Sequence, residues 1–159
     1  IGLGTALGTT DSIVADSAGI VRFPLQPAFR VTAAAGLTNP NGYVKVVFDT
    51  EVFDINADFD SATNKRFDVP VSGIYFINAN IFFTGLSDAG RMQVAIYVNG
   101  ASVGDVISYA SGTADQSVNI SLVLNLTAGQ YVEIYVYGDN ASDVSNNAGL
   151  TQFFGYKLA

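Results

Sequence analysis

The sequence predicts an all-β sandwich or barrel, on three observations. Apolar residues recur at alternate positions, the period of a strand with one face buried. Clusters of Gly, Asn, Asp and Ser separate these runs at short intervals: "NPNG", "DSATNK", "LSDAG", "NGAS", "SGTADQ", "TAGQ" and "GDNASDVSNNAG". Sustained i, i+3, i+4 patterning is nearly absent, and only two of the 14 acidic residues are Glu, Asp being the acid that turns favour.

Along the chain, residues 1–25 form a small-residue segment, "IGLGTALGTTDSIVADSAGIV" and its exit, with no bulky core set. Alone it cannot offset its ordering entropy, so it reads as a linker, or as a thin stalk ordered by identical neighbours. Pro24 and Pro27 then mark the entry to a globular part, residues 26–159. Residues 67–83, "FDVPVSGIYFINANIFF", read as a strand buried on both faces, except that Asn78 and Asn80 stand in its middle. A buried amide without a partner costs roughly 1–3 kcal/mol, so these two must face something other than an ordinary apolar core. "RMQVAIYVNG" places Met92, Val94, Ile96 and Val98 on one face. "SVNISLVLNL" sets Val118, Ile120, Leu122, Leu124 and Leu126 against Asn119, Ser121, Val123 and Asn125. "QYVEIYVYG" sets Val132, Ile134 and Val136 against Tyr131, Glu133, Tyr135 and Tyr137.

Composition removes whole classes of chemistry. The chain has no His and no Cys, which excludes Ser-His and Cys-His nucleophiles, His-ligated metals and disulfides. Its 14 acids against 7 bases, net −7, argue against a nucleic-acid partner. No apolar run approaches the roughly 20 residues that span a bilayer, so no membrane insertion is expected. A Ser-Lys pair would need spatial support, with Lys45, Lys65 and Lys157 all in surface-like positions. Asp58 and Asp60 read as turn residues rather than a glycosidase pair, and "GLGTALG" lacks the Lys-Ser/Thr ending of a phosphate loop. No enzymatic activity and no obligate cofactor are expected. Three sequons, at Asn119, Asn125 and Asn140, match the glycosylation pattern; only Asn140 falls outside a predicted strand. The chain opens at Ile1 without a signal-peptide pattern and reads as a piece of something longer.

From about Pro27 to Ala159, the order of landmarks resembles the C1q-like domain of the C1q/tumour-necrosis-factor superfamily. The landmarks are "AFRVTAAA", "VVFDTEVFDINADFD", "KRFDVPVSGIYFINANIFF", "VAIYVNGASVG", "VNISLVLNLTAGQYVEIYVYG" and the closing "FFGYKLA". One extra residue lies between Phe59 and Phe67, and Ile77 stands where an aromatic is commoner. Upstream, "DSAGIVRFPLQPAFRV" is similar to leaders of C1q-like domains in phage fibres and other virion appendages.

The resemblance implies a ten-stranded jelly-roll sandwich that assembles as a homotrimer, one sheet of each subunit facing the three-fold axis. Tyr75, Ile77, Ala79, Ile81 and Phe83 would point into the subunit core. Phe76, Asn78, Asn80 and Phe82 would point toward neighbours, joined by Asn119, Ser121, Val123 and Asn125 and, from the last strand, by Phe153 and Gly155. Asn78 and Asn80 would then bond symmetry mates or trapped water. Relatives hold Ca²⁺ near the trimer apex, and Asp115 lies at the similar position. "GDNASDVSNN" lacks the D-x-D-x-D-G spacing of a dedicated calcium loop. The loop at residues 138–149, with Asp139, Asn140, Asp143, Asn146 and Asn147, is the expected receptor-binding segment.

The functional expectation is a non-enzymatic trimeric head of a phage fibre or virion appendage, attaching to a host-surface glycan or protein through several weak contacts. Its N-terminal segment would join other virion or fibre proteins, and its location would be the virion. The alternatives are a purely structural or fibre-capping virion protein, or a secreted or cell-surface C1q-like lectin or recognition module.

Overall fold

The computed structural model describes residues 14–15, 17–139 and 142–159. Fourteen strand segments are present among them. In chain order they are β1 (Val14–Ala15), β2 (Val21–Arg22), β3 (Ala28–Thr32), β4 (Val44–Lys45), β5 (Thr50–Ile55), β6 (Phe59–Asp60), β7 (Arg66–Asp68), β8 (Gly73–Thr84), β9 (Arg91–Val98), β10 (Ala101–Tyr109), β11 (Gln116–Leu126), β12 (Tyr131–Gly138), β13 (Asp143–Val144) and β14 (Gln152–Lys157).

All pairings are antiparallel. One six-stranded sheet runs β10-β9-β12-β7-β6, with β4 also on β12; the other runs β11-β8-β14-β3-β5, with β13 also on β8. We call them the β9 sheet and the β8 sheet. They hold twelve segments rather than ten because two-residue pieces such as β4, β6 and β13 pair separately. The first and last long-range strands, β3 and β14, lie side by side from Ala28↔Tyr156 to Thr32↔Gln152. The two ends of the domain therefore lie side by side in the middle of the β8 sheet. Within the segment expected to be a stalk, β1 and β2 pair as a small hairpin across Gly19, whose φ of 80° suits glycine.

The core lies between the two sheets and follows the alternation in the sequence. Tyr75, Ile77, Ala79, Ile81 and Phe83 of β8 are wholly buried, facing Met92, Val94 and Ile96 of β9 and Val132, Ile134 and Val136 of β12. Aromatic rings fill one end. Phe29 stacks on Phe67 at 4.5 Å and meets Phe153 edge-on at 4.9 Å, while Phe59 lies 5.3 Å from Phe29. Such contacts add about 0.5–1.5 kcal/mol each beyond the area they bury. Tyr75 keeps its hydroxyl satisfied by donating to the Val71 carbonyl at 2.6 Å.

Turn chemistry fixes the register. The β9–β10 hairpin turns on Asn99-Gly100, both at positive φ (51° and 78°), the pair that a two-residue hairpin turn demands. Asn99 also accepts the Tyr131 N–H at 2.9 Å and so ties the hairpin to β12. Asp60 accepts the N–H groups of Ala62, Thr63 and Asn64 at 3.1, 2.7 and 3.0 Å and closes the turn into β7. That absorbs the extra residue between Phe59 and Phe67.

Candidate functional site

Strand register sorts the outward face of the β8 sheet into rows. One row runs Val123, Phe76, Tyr156, Ala28, Ile55 across β11, β8, β14, β3 and β5; the next runs Ser121, Asn78, Phe154, Arg30, Phe53. The third runs Asn119, Asn80, Gln152, Thr32, Thr50. The face is thus apolar at one end and polar at the other. Phe76 lies against Tyr156 at 5.4 Å and Phe154 at 6.3 Å. Around them Val123 is 62% exposed and Phe53 47%. A contiguous aromatic and aliphatic patch of this kind marks a surface built for contact.

The expected interface residues Phe76, Asn78, Asn80, Phe82, Asn119, Ser121 and Val123 all share this outward face. Their amides, however, find partners within the chain. Asn78 and Asn119 donate to each other, both at 3.2 Å, and Asn119 donates also to the Ala79 carbonyl at 3.2 Å. Asn80 donates to the Leu150 carbonyl. Asn78 is therefore buried and satisfied in a single subunit, without a symmetry mate or water.

Phe153 and Gly155 do not belong to this face. Phe153 is 1% exposed and sits in the core against Phe29, Phe48 and Phe59. A Cβ on Gly155 would stand 2.8 Å from Ile77 Cδ1 and 3.1 Å from Phe29 Cε1, so this glycine faces inward, where a side chain would collide. The phase of the last strand is opposite to the one expected. Gln152, Phe154 and Tyr156 are its outward residues, and Gln152 accepts from Arg30 Nε at 2.9 Å. Both phases of "FFGYK" carry aromatics, so alternation alone does not choose between them; the lone glycine is the signal that does.

The loop after β12 is braced by its own polar groups. Asp139 accepts the Arg91 N–H at 2.6 Å, and Asp143 accepts the Asn39 N–H at 2.9 Å. Asn146 donates to the Ala34 carbonyl at 2.9 Å, and Asn147 accepts the Gly149 N–H at 3.0 Å. Asn140 lies outside the described residues. Asp115 is exposed on the β10–β11 loop, and among the described residues no three His, Cys, Asp or Glu side chains gather as ligands. Where the leader enters, Phe23, Leu25, Pro27, Val71 and Leu158 line an open apolar groove of about 350 Å³.

The carboxylates divide differently from the Asp58/Asp60 pairing. Asp60 is a turn acceptor, and its backbone hydrogen bonds hold its carboxyl down to about 2. Asp58 belongs with Asp54. Burial, and then the charge of Asp54, push Asp58 up to about 6. Burial raises Asp54 as well, although its Oδ2 accepts the Phe59 N–H at 2.8 Å. Asp54 Oδ1 and Asp58 Oδ2 are buried without a partner, a source of strain at the β5–β6 corner.

Comparison with known proteins agrees with this geometry. The C1q domain family matches residues 28–158. Phage-like element PBSX protein XkdV of Bacillus subtilis (strain 168) is 26% identical over 122 residues, which is 69% of this chain and 18% of that protein. The chain thus spans less than a fifth of that relative's length. The fold is similar to murine APRIL, with a TM-score of 0.65 and 14% identity over 84% of this chain and 99% of the other. It is also similar to the globular domain of zebrafish complement 1qA, with a TM-score of 0.60 and 21% identity over 84% and 98%. No helix among the described residues is long and apolar enough to cross a membrane. With the two-sheet sandwich, the β3–β14 closure and a match over most of its length, the chain belongs to the C1q domain family.

Proposed function

We propose that this chain is the trimeric, non-enzymatic head of a phage-type fibre or virion appendage that attaches to a host surface. The observation that carries the reading is the row of Val123, Phe76, Tyr156, Ala28 and Ile55, an apolar stripe crossing five strands on the outside of the sandwich. An uncovered stripe of this kind is a liability in a monomer and a seam in a three-fold ring. The likeness to a phage-like element protein supports placing the head on a virion. On this reading residues 1–25 register three chains and join them to the rest of the particle, while residues 26–159 form the head. Three heads on one stalk convert weak single contacts into avidity.

A specific observation favours a second reading, a structural cap with no receptor contact at the loop. The side chains of Asp139, Asp143, Asn146 and Asn147 all bond their own chain, which leaves the loop fewer polar groups for a ligand. The two readings separate in one experiment. Fluorescently labelled domain is incubated with cells of the parent particle's host, as wild type, as Phe76→Asp, and with residues 138–149 replaced by a Gly-Ser loop. The attachment reading expects saturable binding that drops about tenfold or more when Phe76→Asp removes multivalency. Absence of cell binding by the wild type leaves the capping role.

A further inference from the structure

We propose that the outward face of the β9 sheet is a binding site for a neutral saccharide, seated on the rings of Tyr97, Tyr135, Tyr43 and Tyr137. The proposal deepens the attachment reading and rests on it for the cell-surface origin of the glycan. Its site lies on the opposite sheet from the apolar stripe.

Register gathers these residues. Tyr97 pairs with Glu133, and Tyr135 and Tyr137 follow on the same face of β12, while Tyr43 reaches in from the segment before β4. Tyr97 and Tyr135 lie 4.2 Å apart, Tyr43 and Tyr137 5.8 Å, and Tyr43 and Tyr97 6.4 Å. The Arg91 guanidinium sits 4.9 Å over the Tyr137 ring, and that of Arg66 sits 4.1 Å over Tyr131 at the other end. These cations hold the flanking rings in place, so little order remains to be imposed by a ligand. Among the described residues, none of these tyrosine hydroxyls has a hydrogen-bond partner, whereas the hydroxyl of core Tyr75 has one.

The charges of the face decide the class of ligand. Lys45 pairs with Glu133 at 2.5 Å and Arg66 with Asp68 at 2.7 Å. Arg91 donates to Gln93, which in turn donates to Asp105 at 2.7 Å. Two of these three bases have an acid, and the third, Arg91, is held over the Tyr137 ring and against the neutral Gln93, so among the described residues this face offers a polyanion little. The exposed aliphatic side chains in or beside this sheet are single residues, Val103 and Ile107 on the edge strand β10 and Val47 just after β4, whereas a protein partner of stable size needs an apolar core patch. Ring faces with unpaired hydroxyls at their rims match a pyranose, which offers apolar C–H faces and a rim of hydroxyls. Tyrosine supplies both kinds of contact from one rigid side chain.

The chain has no Trp, and four of its eight Tyr lie in this cluster, so a ligand-dependent change in tyrosine emission is assigned by comparing wild type with Tyr97→Ala. The full chain is titrated with neutral hexasaccharides of glucose, N-acetylglucosamine, galactose and mannose, followed by tyrosine fluorescence and calorimetry. Saturable binding to at least one is expected, weakened about tenfold or more by Tyr97→Ala. Tyr135→Phe, which preserves the fold, is expected to lose the hydroxyl's share alone. Phe76→Asp, on the opposite sheet, should leave the per-site affinity unchanged. The proposal is overturned if no neutral hexasaccharide binds, or if Tyr97→Ala binds as wild type does. Binding confined to heparin and lost with salt overturns the neutral assignment, and a fall in assembly mass with Tyr97→Ala gives the face to a second copy. Saccharide binding without host-cell binding would overturn the attachment reading and leave this one standing; host-cell binding indifferent to Tyr97→Ala would do the reverse.

Discussion

Asn78 and Asn119 hold each other by reciprocal amide hydrogen bonds, both 3.2 Å, across the seam between β8 and β11. The pair makes a polar clasp where the outward face passes from its apolar to its polar end. Asn78→Ala removes both bonds but leaves Asn119 exposed, with the Ala79 carbonyl as acceptor. The expected loss is therefore about 1 kcal/mol, well short of the cost of a stranded buried amide, measured by urea unfolding.

The inward phase of β14 sets a contrast between adjacent phenylalanines. Phe153→Ala empties a packed aromatic site and should cost about 3–5 kcal/mol. Phe154→Ala changes only the outward face; its unfolding loss should stay below about 1 kcal/mol, while self-association weakens.

Gly155→Ala tests the same phase from the other side. Its Cβ would meet Ile77 Cδ1 at 2.8 Å and the Phe76 carbonyl at 2.9 Å, and backbone cannot yield as a flexible side chain does. A loss of about 1–3 kcal/mol is expected, read as a lower melting temperature with an unchanged β-sheet circular dichroism spectrum.

Asp54 and Asp58 give the stability curve its slope. Asp58 is raised from the ordinary carboxylate value of 3.8 to about 6, so the folded state binds its proton more tightly than the unfolded chain does. The resulting penalty is absent below about pH 4 and fully present above about pH 6–7, so stability should rise as pH falls from 7.5 to 4.5. Asp54, also raised, adds in the same direction. Asp60 opposes it only in strong acid: its carboxyl is lowered to about 2, and its contribution is lost as pH falls from about 4 through 2. Thermal melts of Asp58→Asn across pH 4.5–7.5 should be flatter than those of wild type, with the gain at the high end.

Much of this was legible in the sequence. The inward sets of β9, β11 and β12 follow from alternation, because each strand has one strongly aliphatic phase and one mixed or polar phase. The faces of β8, apolar in both phases at its ends, follow from the resemblance instead, which implies Tyr75, Ile77, Ala79, Ile81 and Phe83 inward and Phe76, Asn78, Asn80 and Phe82 outward. Phe153 was misplaced because both phases of its strand are aromatic, and only the packing of Gly155 against Phe29 and Ile77 separates them. The bracing role of Asp139, Asp143 and Asn146 was hidden because polarity does not reveal which side chains turn back onto their own backbone. The tyrosine face was half visible in Tyr131, Tyr135 and Tyr137. Its partners arrive from elsewhere in the chain, Tyr97 from β9 and Tyr43 from the segment before β4, and only tertiary pairing unites them.

The central claim, that the apolar stripe through Val123, Phe76 and Tyr156 is an assembly seam, is tested most directly by absolute mass from light scattering after size exclusion. At micromolar concentration the account predicts three times the 16.7 kDa chain mass for wild type, falling to the single-chain mass for Phe76→Asp. A wild-type mass of one chain across the concentration range would contradict it.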